Sequence, residues 1–364
     1  MKTLSEPLAP YAETLSFLHD LWLSERAPER PALVFVETTP APPPPDDPDP
    51  LRARALAAQH AALHGRVCEG TDYVPLLSTN NGTEAMASAF GAVLQEHDGR
   101  YWAERLFHDL HEADGLEVPP VEGALVGEAL EHTRLLRQHT ELPIMSLDLQ
   151  SPLTVATQLL GVSELFMAMY DDPRRVHALL EVITEFFIRV VETQQASAGE
   201  FWAPVFWPGI WSPPEVGLEL ADDYMLALSP ELFDEFSLPY LSRLAEHFGG
   251  LFLHSCSIYS RNLPSLKKVP NLRGINSDLS MSCPVREILD ALPGVVVTPH
   301  IYMNKEITHP TQQVWLRETL EAWRPGDRLF PYVLAVMYDP PAKAEVATDF
   351  AEVRKVIPAS VRRT

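Results

Sequence analysis

His254 and Cys256 are the residues whose types and spacing suggest chemistry most directly. They close the run Gly250-Leu-Phe-Leu-His254-Ser-Cys256, a short apolar stretch without helical period that reads as a buried strand. Residues i and i+2 of an extended chain point to one face, so an imidazole and a thiol converge there on a single point. In an intracellular protein that pairing suggests a soft metal site, zinc before other metals. A lone His-x-Cys is more often a packed thiol beside a hydrogen-bonded histidine, so the elements around it have to decide.

Composition narrows the classes. The chain has 364 residues, enough for one barrel-sized domain or two ordinary ones, and its 46% apolar content supports a large core. A formal charge of −22 disfavours nucleic acid as a partner, because binding to a phosphate backbone depends on cationic side chains. Cys68, Cys256 and Cys283 are too few and too scattered for a disulfide framework, which points to a reducing cytoplasm. No apolar signal core follows Met1 and no run of about 18 apolar residues is present, so a cytoplasmic location without membrane contact is expected.

Apolar runs and turn signals predict a helix over 10–28, a strand over 31–37, the Pro/Asp-rich loop 40–50, a helix over 51–63 and a strand over 72–78. Further on come a helix over 121–139, a strand over 142–148, a helix after Pro152, a long helix over 173–196 and the aromatic stretch 201–207. Ser229 caps a helix expected over 230–247, which leads into the His254 strand. Strands over 272–278, 295–300 and 329–336 complete eight candidates counted from Ala32. Strands alternating with helices imply a parallel sheet, and eight of them predict an α/β fold of the (β/α)₈ TIM-barrel type, with an open doubly wound sheet as the alternative. Residues 1–30 are expected to form an N-terminal helical extension and 31–364 a single barrel domain. Neither a Gly-x-Gly-x-x-Gly nor a P-loop follows any of these strands.

Barrel enzymes place their chemistry at the C-terminal ends of the strands. Those ends carry Glu37, Asn80, Asp148, Trp207, His254 with Cys256, Asp278, His300 with Tyr302, and Tyr338 with Asp339. Asn80-Asn81-Gly82 reads first as a turn, and Asp222-Asp223 as acidic residues favoured ahead of a helix N-terminus, although the aspartates could contact a cation.

Ser229-Pro-Glu-Leu-Phe-Asp-Glu-Phe-Ser-Leu-Pro239-Tyr240, together with the strand ending in His254-Ser-Cys256, resembles the uroporphyrinogen decarboxylase superfamily. Gln150-Ser-Pro152, Tyr170-Asp-Asp-Pro173 and Asn276-Ser-Asp278 resemble comparable segments of that family, so the resemblance covers roughly residue 50 to the end. The His-x-Cys form is closest to its zinc-dependent branch, the methylcobamide:coenzyme M methyltransferases. The Arg-Gln-Ala-Gly-Arg segment of the decarboxylases is absent near residues 31–37, and a polycarboxylate tetrapyrrole wants cationic partners.

The resemblance to the methyltransferase branch implies zinc held by His254 and Cys256. The later cysteine of that branch is missing from Ala335-Val-Met-Tyr-Asp339, which leaves Tyr338, Asp339 or Asp278 to complete the site, or Cys283 bending back to it. In that reading Asp148, Asp278 and His300 serve catalysis, Asn80, Gln150, Trp207, Tyr302 and Tyr338 bind substrate, and a corrinoid or another donor supplies the methyl group to a thiol, with a corrinoid protein as the partner in the first case. Two alternatives stay open. One is a metal-independent decarboxylase or lyase of a small acid using Asp278, Asp148 and His254. The other is a non-catalytic barrel that captures a cationic or corrinoid ligand on its aromatic residues.

Overall fold

The computed structural model describes residues 5–26, 28–37, 49–64, 66–67, 71–79, 81–97, 100–278, 282–301 and 312–334. Asn80, Tyr302, Tyr338 and Asp339 lie outside them, as does Cys68. Eight parallel strands are described: β1 (Val34–Glu37), β2 (Ile144–Met145), β3 (Trp202–Ala203), β4 (Leu218–Ala221), β5 (Leu251–Ser255), β6 (Leu272–Asp278), β7 (Val296–Ile301) and β8 (Tyr332–Leu334). One continuous parallel ladder runs β1–β8–β7–β6–β5–β4, with the short strand Arg66–Val67 antiparallel on the outer edge of β1. β2 and β3 form a separate parallel pair.

The expected closed ring is not a continuous ladder among the described residues. Single links span the gap instead. Leu77 bridges Ile144, Gln150 bridges Ala221, and the Asp72 amide donates to the Leu33 carbonyl at 2.7 Å. The cause is local chemistry: Pro75, Pro143 and Pro204 fall in or beside these segments, and proline has no N–H for a ladder. Apolar runs free of proline, such as 251–255, form full strands with every residue buried.

Two elements differ from expectation. β4 does not stand out in the sequence because a glutamate sits in its middle, yet Leu218, Glu219, Leu220 and Ala221 are all buried. The helix expected over 230–247 is two helices, Pro230–Phe236 and Leu238–Phe248. Pro239 cannot donate into the preceding turn, and the Ser237 hydroxyl at the break donates to Asp222 Oδ2 at 2.9 Å. The long helix follows expectation, over Pro173–Ala198, with Asp172 accepting from the Arg175 amide at its start. Its inner face, including Phe186, Phe187 and Val190, lies in the core.

The helix Ala12–Leu23 lies against the sheet through Leu18, Leu21 and Trp22. Trp22 meets Phe252 edge to face at 5.9 Å, and both rings occupy the space over Gly274, where a Cβ would collide with them. At the end of this helix the Arg328 guanidinium donates to the carbonyls of Leu21 and Ser24, and to that of Asp20, which also accepts from the Ser24 amide. Nearby, Arg30 grips Asp72 with two bonds of 2.7 and 2.6 Å, and the Leu33 amide adds a third to the same carboxylate at 3.0 Å. Among the described residues no single helix is long and apolar enough to cross a membrane.

Candidate metal centre

Ala221 of β4 stands opposite His254 of β5 in the parallel register, so Asp223 and Cys256, each two residues further on, face one another. The Cys256 amide donates to Asp223 Oδ1 at 2.6 Å, and the same oxygen lies 3.9 Å from His254 Nε2. One ligand atom each from Asp223, His254 and Cys256 fits within a mutual separation of 4.8 Å. An oxygen, an imidazole nitrogen and a sulfur at that spacing suit a zinc ion with a fourth position left for a substrate or water.

The neighbouring strand sets the histidine. Asn276 of β6 stands opposite His254, and Thr298 of β7 opposite Asn276. The Asn276 amide nitrogen donates to the Thr298 carbonyl, which accepts only, so Oδ1 must face His254 Nδ1 at 2.6 Å. Nδ1 therefore carries the proton and donates, and Nε2 keeps its lone pair toward Asp223 and Cys256. Burial pushes the His254 pKa down, which keeps the ring neutral, as a ligand must be. Burial, with the charges of Asp223 and then Asp278, pushes the Cys256 thiol up to about 12; a bound dication would lower it.

The two adjacent aspartates divide their tasks because alternate residues of an extended segment face opposite ways. Asp222 donates its amide to the His254 carbonyl at 2.8 Å and turns its carboxylate to Ser237 and the Met225 amide. It is structural. Asp223 faces the cluster, so it, and not Asp278, is the carboxylate that the geometry sets beside His254 and Cys256. Asp278 ends β6 opposite His300 of β7, and its charge reaches Cys256. Cys283 is buried, with its amide bonded to the Ile258 carbonyl.

Around the cluster stand further sequence-predicted residues. The Trp207 indole is nearly perpendicular to the His300 ring at 5.9 Å and lies 6.4 Å from the His254 ring. Glu219, from the middle of β4, holds it there: its carboxylate accepts from the amides of Phe206 and Trp207, the latter at 2.9 and 3.0 Å. Glu219 escaped the sequence reading; only its charge inside an apolar alternation marked it. Burial raises its pKa well above the usual carboxylate range. Asp148 accepts from Gln150 at 2.9 Å and donates its amide to Asn81 Oδ1 at 3.3 Å. Burial lifts its pKa to about 6, with smaller contributions from the charges of Asp223 and Glu84. His300 is held neutral by burial and by His254.

A uroporphyrinogen decarboxylase (URO-D) family model matches residues 82–213. The superfamily resemblance read from the sequence is thereby borne out. Curated uroporphyrinogen decarboxylases from Anaeromyxobacter dehalogenans and Desulfotalea psychrophila are each 27% identical, over 151 and 137 residues. These matches span 40% and 36% of this chain and only 39% and 35% of those enzymes. Among solved structures, a methyltransferase from Methanosarcina mazei superposes with a TM-score of 0.66 at 14% identity, covering 96% of this chain and 98% of that one. That likeness establishes the common fold. The family match ends before Asp223, His254 and Cys256, so the candidate metal site rests on its geometry alone.

Proposed function

We propose that the protein is a zinc-dependent methyl or alkyl transferase that activates a thiol or similar small nucleophile, on a closed URO-D-type (β/α)₈ barrel spanning 31–364 behind the helical extension 1–30. The observation that carries the reading is the Asp223, His254 and Cys256 cluster with His254 oriented by Asn276. Asp223, His254 and Cys256 would hold the ion. When bound it lowers the pKa of a thiol in the open position, so that a thiolate is present at neutral pH.

The chain's own groups supply the rest. Asn276 holds the proton of His254 on Nδ1 and so aims Nε2. Trp207, pinned by Glu219, covers the imidazoles of His254 and His300 and keeps water away from them. Asp148 and His300 orient the substrate, and Asp148, with a pKa near 6, can take up or release a proton close to neutrality. Asp278 tunes the charge felt by Cys256. A corrinoid protein is the donor that the resemblance implies. The curated relatives are decarboxylases, which makes decarboxylation the second reading, yet no described lysine or arginine pairs with Asp148, Asp223 or Glu219 to receive a carboxylate substrate.

Metal analysis by inductively coupled plasma mass spectrometry tests the reading. Protein purified without chelator is expected to carry near-stoichiometric zinc that is lost in His254→Ala and in Cys256→Ser. Zinc-free wild type, together with full activity in Cys256→Ser, would sink it.

A further inference from the structure

A cavity of about 670 Å³ opens at the end of the strands opposite the metal cluster. It lies between the N-terminal segment, the 3₁₀ turn Glu6–Tyr11 with the helix Ala12–Leu23, and the first residues of β2 and β3. That volume is in the range of small-molecule sites. Leu8 and Leu15 line it from the N-terminal segment, and Phe201, Trp202 and Trp211 from the barrel. Hydrogen bonds tie the two sides together: the Ser5 hydroxyl donates to the Glu141 carbonyl at 2.9 Å, and Trp22 Nε1 to the Trp211 carbonyl at 3.2 Å. The cavity is thus pre-formed, which lowers the cost of filling it. Its lining also carries two opposite charges side by side. The Arg137 guanidinium lies 4.5 Å from the centre of the Phe201 ring and 4.0 Å from Glu200, the two charged side chains being 40% and 50% exposed. Arg30 and Asp72, at the same end of the strands, form a short and buried pair; the Arg137–Glu200 pair is long and open to water, so it contributes little to the fold. Trp202 is buried, and its Nε1 has no hydrogen-bond partner. Such an orphaned donor is costly until an acceptor reaches it. Glu141 and Glu215 stand exposed on the rim, where water screens them.

We propose that this cavity binds an aromatic α-amino acid, with its ring among Leu8, Leu15 and Trp211, its carboxylate on Arg137 and its ammonium on Glu200. An α-amino acid carries both charges on one carbon, so they are as close together as the Arg137–Glu200 pair that they would meet. Inserted there, the ligand replaces one long contact by two charge-assisted hydrogen bonds. A guanidinium stacked on a ring keeps the N–H groups of its edge available to a carboxylate, and those oxygens are also the acceptor that the Trp202 N–H lacks. The aromatic walls suit a flat ring better than an alkyl chain. An amine without the acid group would meet Arg137 unpaired, and an acid without the amine would meet Glu200 and the rim glutamates. The cavity shares no residue with Asp223, His254 and Cys256, so this ligand is not the substrate of the metal centre, and the site does not depend on the alkyl-transfer reading.

Calorimetric titration of the full chain with L-tryptophan, tryptamine and indole-3-propionate tests this, since the second lacks the carboxylate and the third the ammonium. Tryptophan is expected to bind at least about tenfold more tightly than either. Arg137→Gln should remove its advantage over tryptamine, and Glu200→Gln its advantage over indole-3-propionate. Ser16→Trp, at an exposed position in the lining, should fill the space and abolish binding; the two charge variants decide the matter if that chain does not fold. An amino acid can also chelate zinc, so the titrations are repeated on Cys256→Ser, where the preference for tryptophan should persist. Equal affinity for the three ligands, or no binding by the wild type, overturns the proposal. So does a preference that both charge variants or Ser16→Trp leave intact, or that Cys256→Ser abolishes. Zinc content, on which the metal reading rests, is measured separately and is unaffected by any of these outcomes.

Discussion

At the N-terminal end of the strands Asp72 lies between the Arg30 guanidinium and the Leu33 amide, and Arg328 donates to carbonyls at the C-terminal end of the helix Ala12–Leu23. At the C-terminal end Asp148, Asp223 and Glu219 share one neighbourhood in which no described lysine or arginine sits against them. The first end resembles a protein arranged for stability. The second groups carboxylates without a described cationic partner, the pattern expected where a ligand completes the electrostatics. Charge at one end should thus hold the fold, and charge at the other should hold something that is bound.

The sharpest break of that contrast is Asp72→Ala. It leaves a guanidinium that is 19% exposed without its partner, and unfolding stability should fall by about 3 kcal/mol, the lower part of the range for a broken buried pair. Urea denaturation measures the loss; zinc stoichiometry should not move. The converse variant, Asn276→Ala, frees the His254 ring to turn, and zinc affinity should drop by about 10- to 100-fold while most of the stability is retained. Competition with a chromophoric chelator reads that drop. An unchanged affinity would remove Asn276 from the site.

Smallest is Asp148→Asn, which should stabilise the fold at pH 7.5 by about 1 kcal/mol or less. The sign follows from the titration. Folded Asp148 has a pKa near 6, against about 3.9 for an unperturbed aspartate, so between these values the folded chain binds the extra proton. Its contribution to stability is therefore greatest below about pH 4, declines as pH rises to about 6, and is flat above. The variant should flatten part of that slope in thermal unfolding across pH. Asp222, also near 6 through burial, and the raised carboxyls of Glu219 and Glu84 keep the remainder.

Strands with unbroken apolar runs were legible in the sequence, as were the capped helices, because burial on both faces and N-cap chemistry leave local marks. The segments around Pro75, Pro143 and Pro204 were legible as extended chain but not as ladder, since pairing depends on neighbours the sequence does not name. β4 was hidden by Glu219, whose task of pinning Trp207 appears only in three dimensions. His254 and Cys256 stood out through their spacing. Asp223 did not, because an acidic pair ahead of a helix has an ordinary explanation, and only the register of β4 with β5 sets one member of the pair opposite Cys256. Asn276 and Asp278 repeat the i, i+2 spacing of His254 and Cys256 on the next strand. That repeat was the available sign that β6 also faces the site.

His254 presents Nε2 to its neighbours only while Asn276, on the next strand, also reaches the carbonyl of Thr298 on the one after. Three strands must be aligned before one ligand is aimed. Metal affinity is thus a gauge of sheet register: a two-residue slip of β6 would leave every strand in place by spectroscopy and still abolish binding. The ion, in turn, should favour the aligned sheet over slipped ones, so zinc present during refolding would select the correct pairing as well as occupy its product.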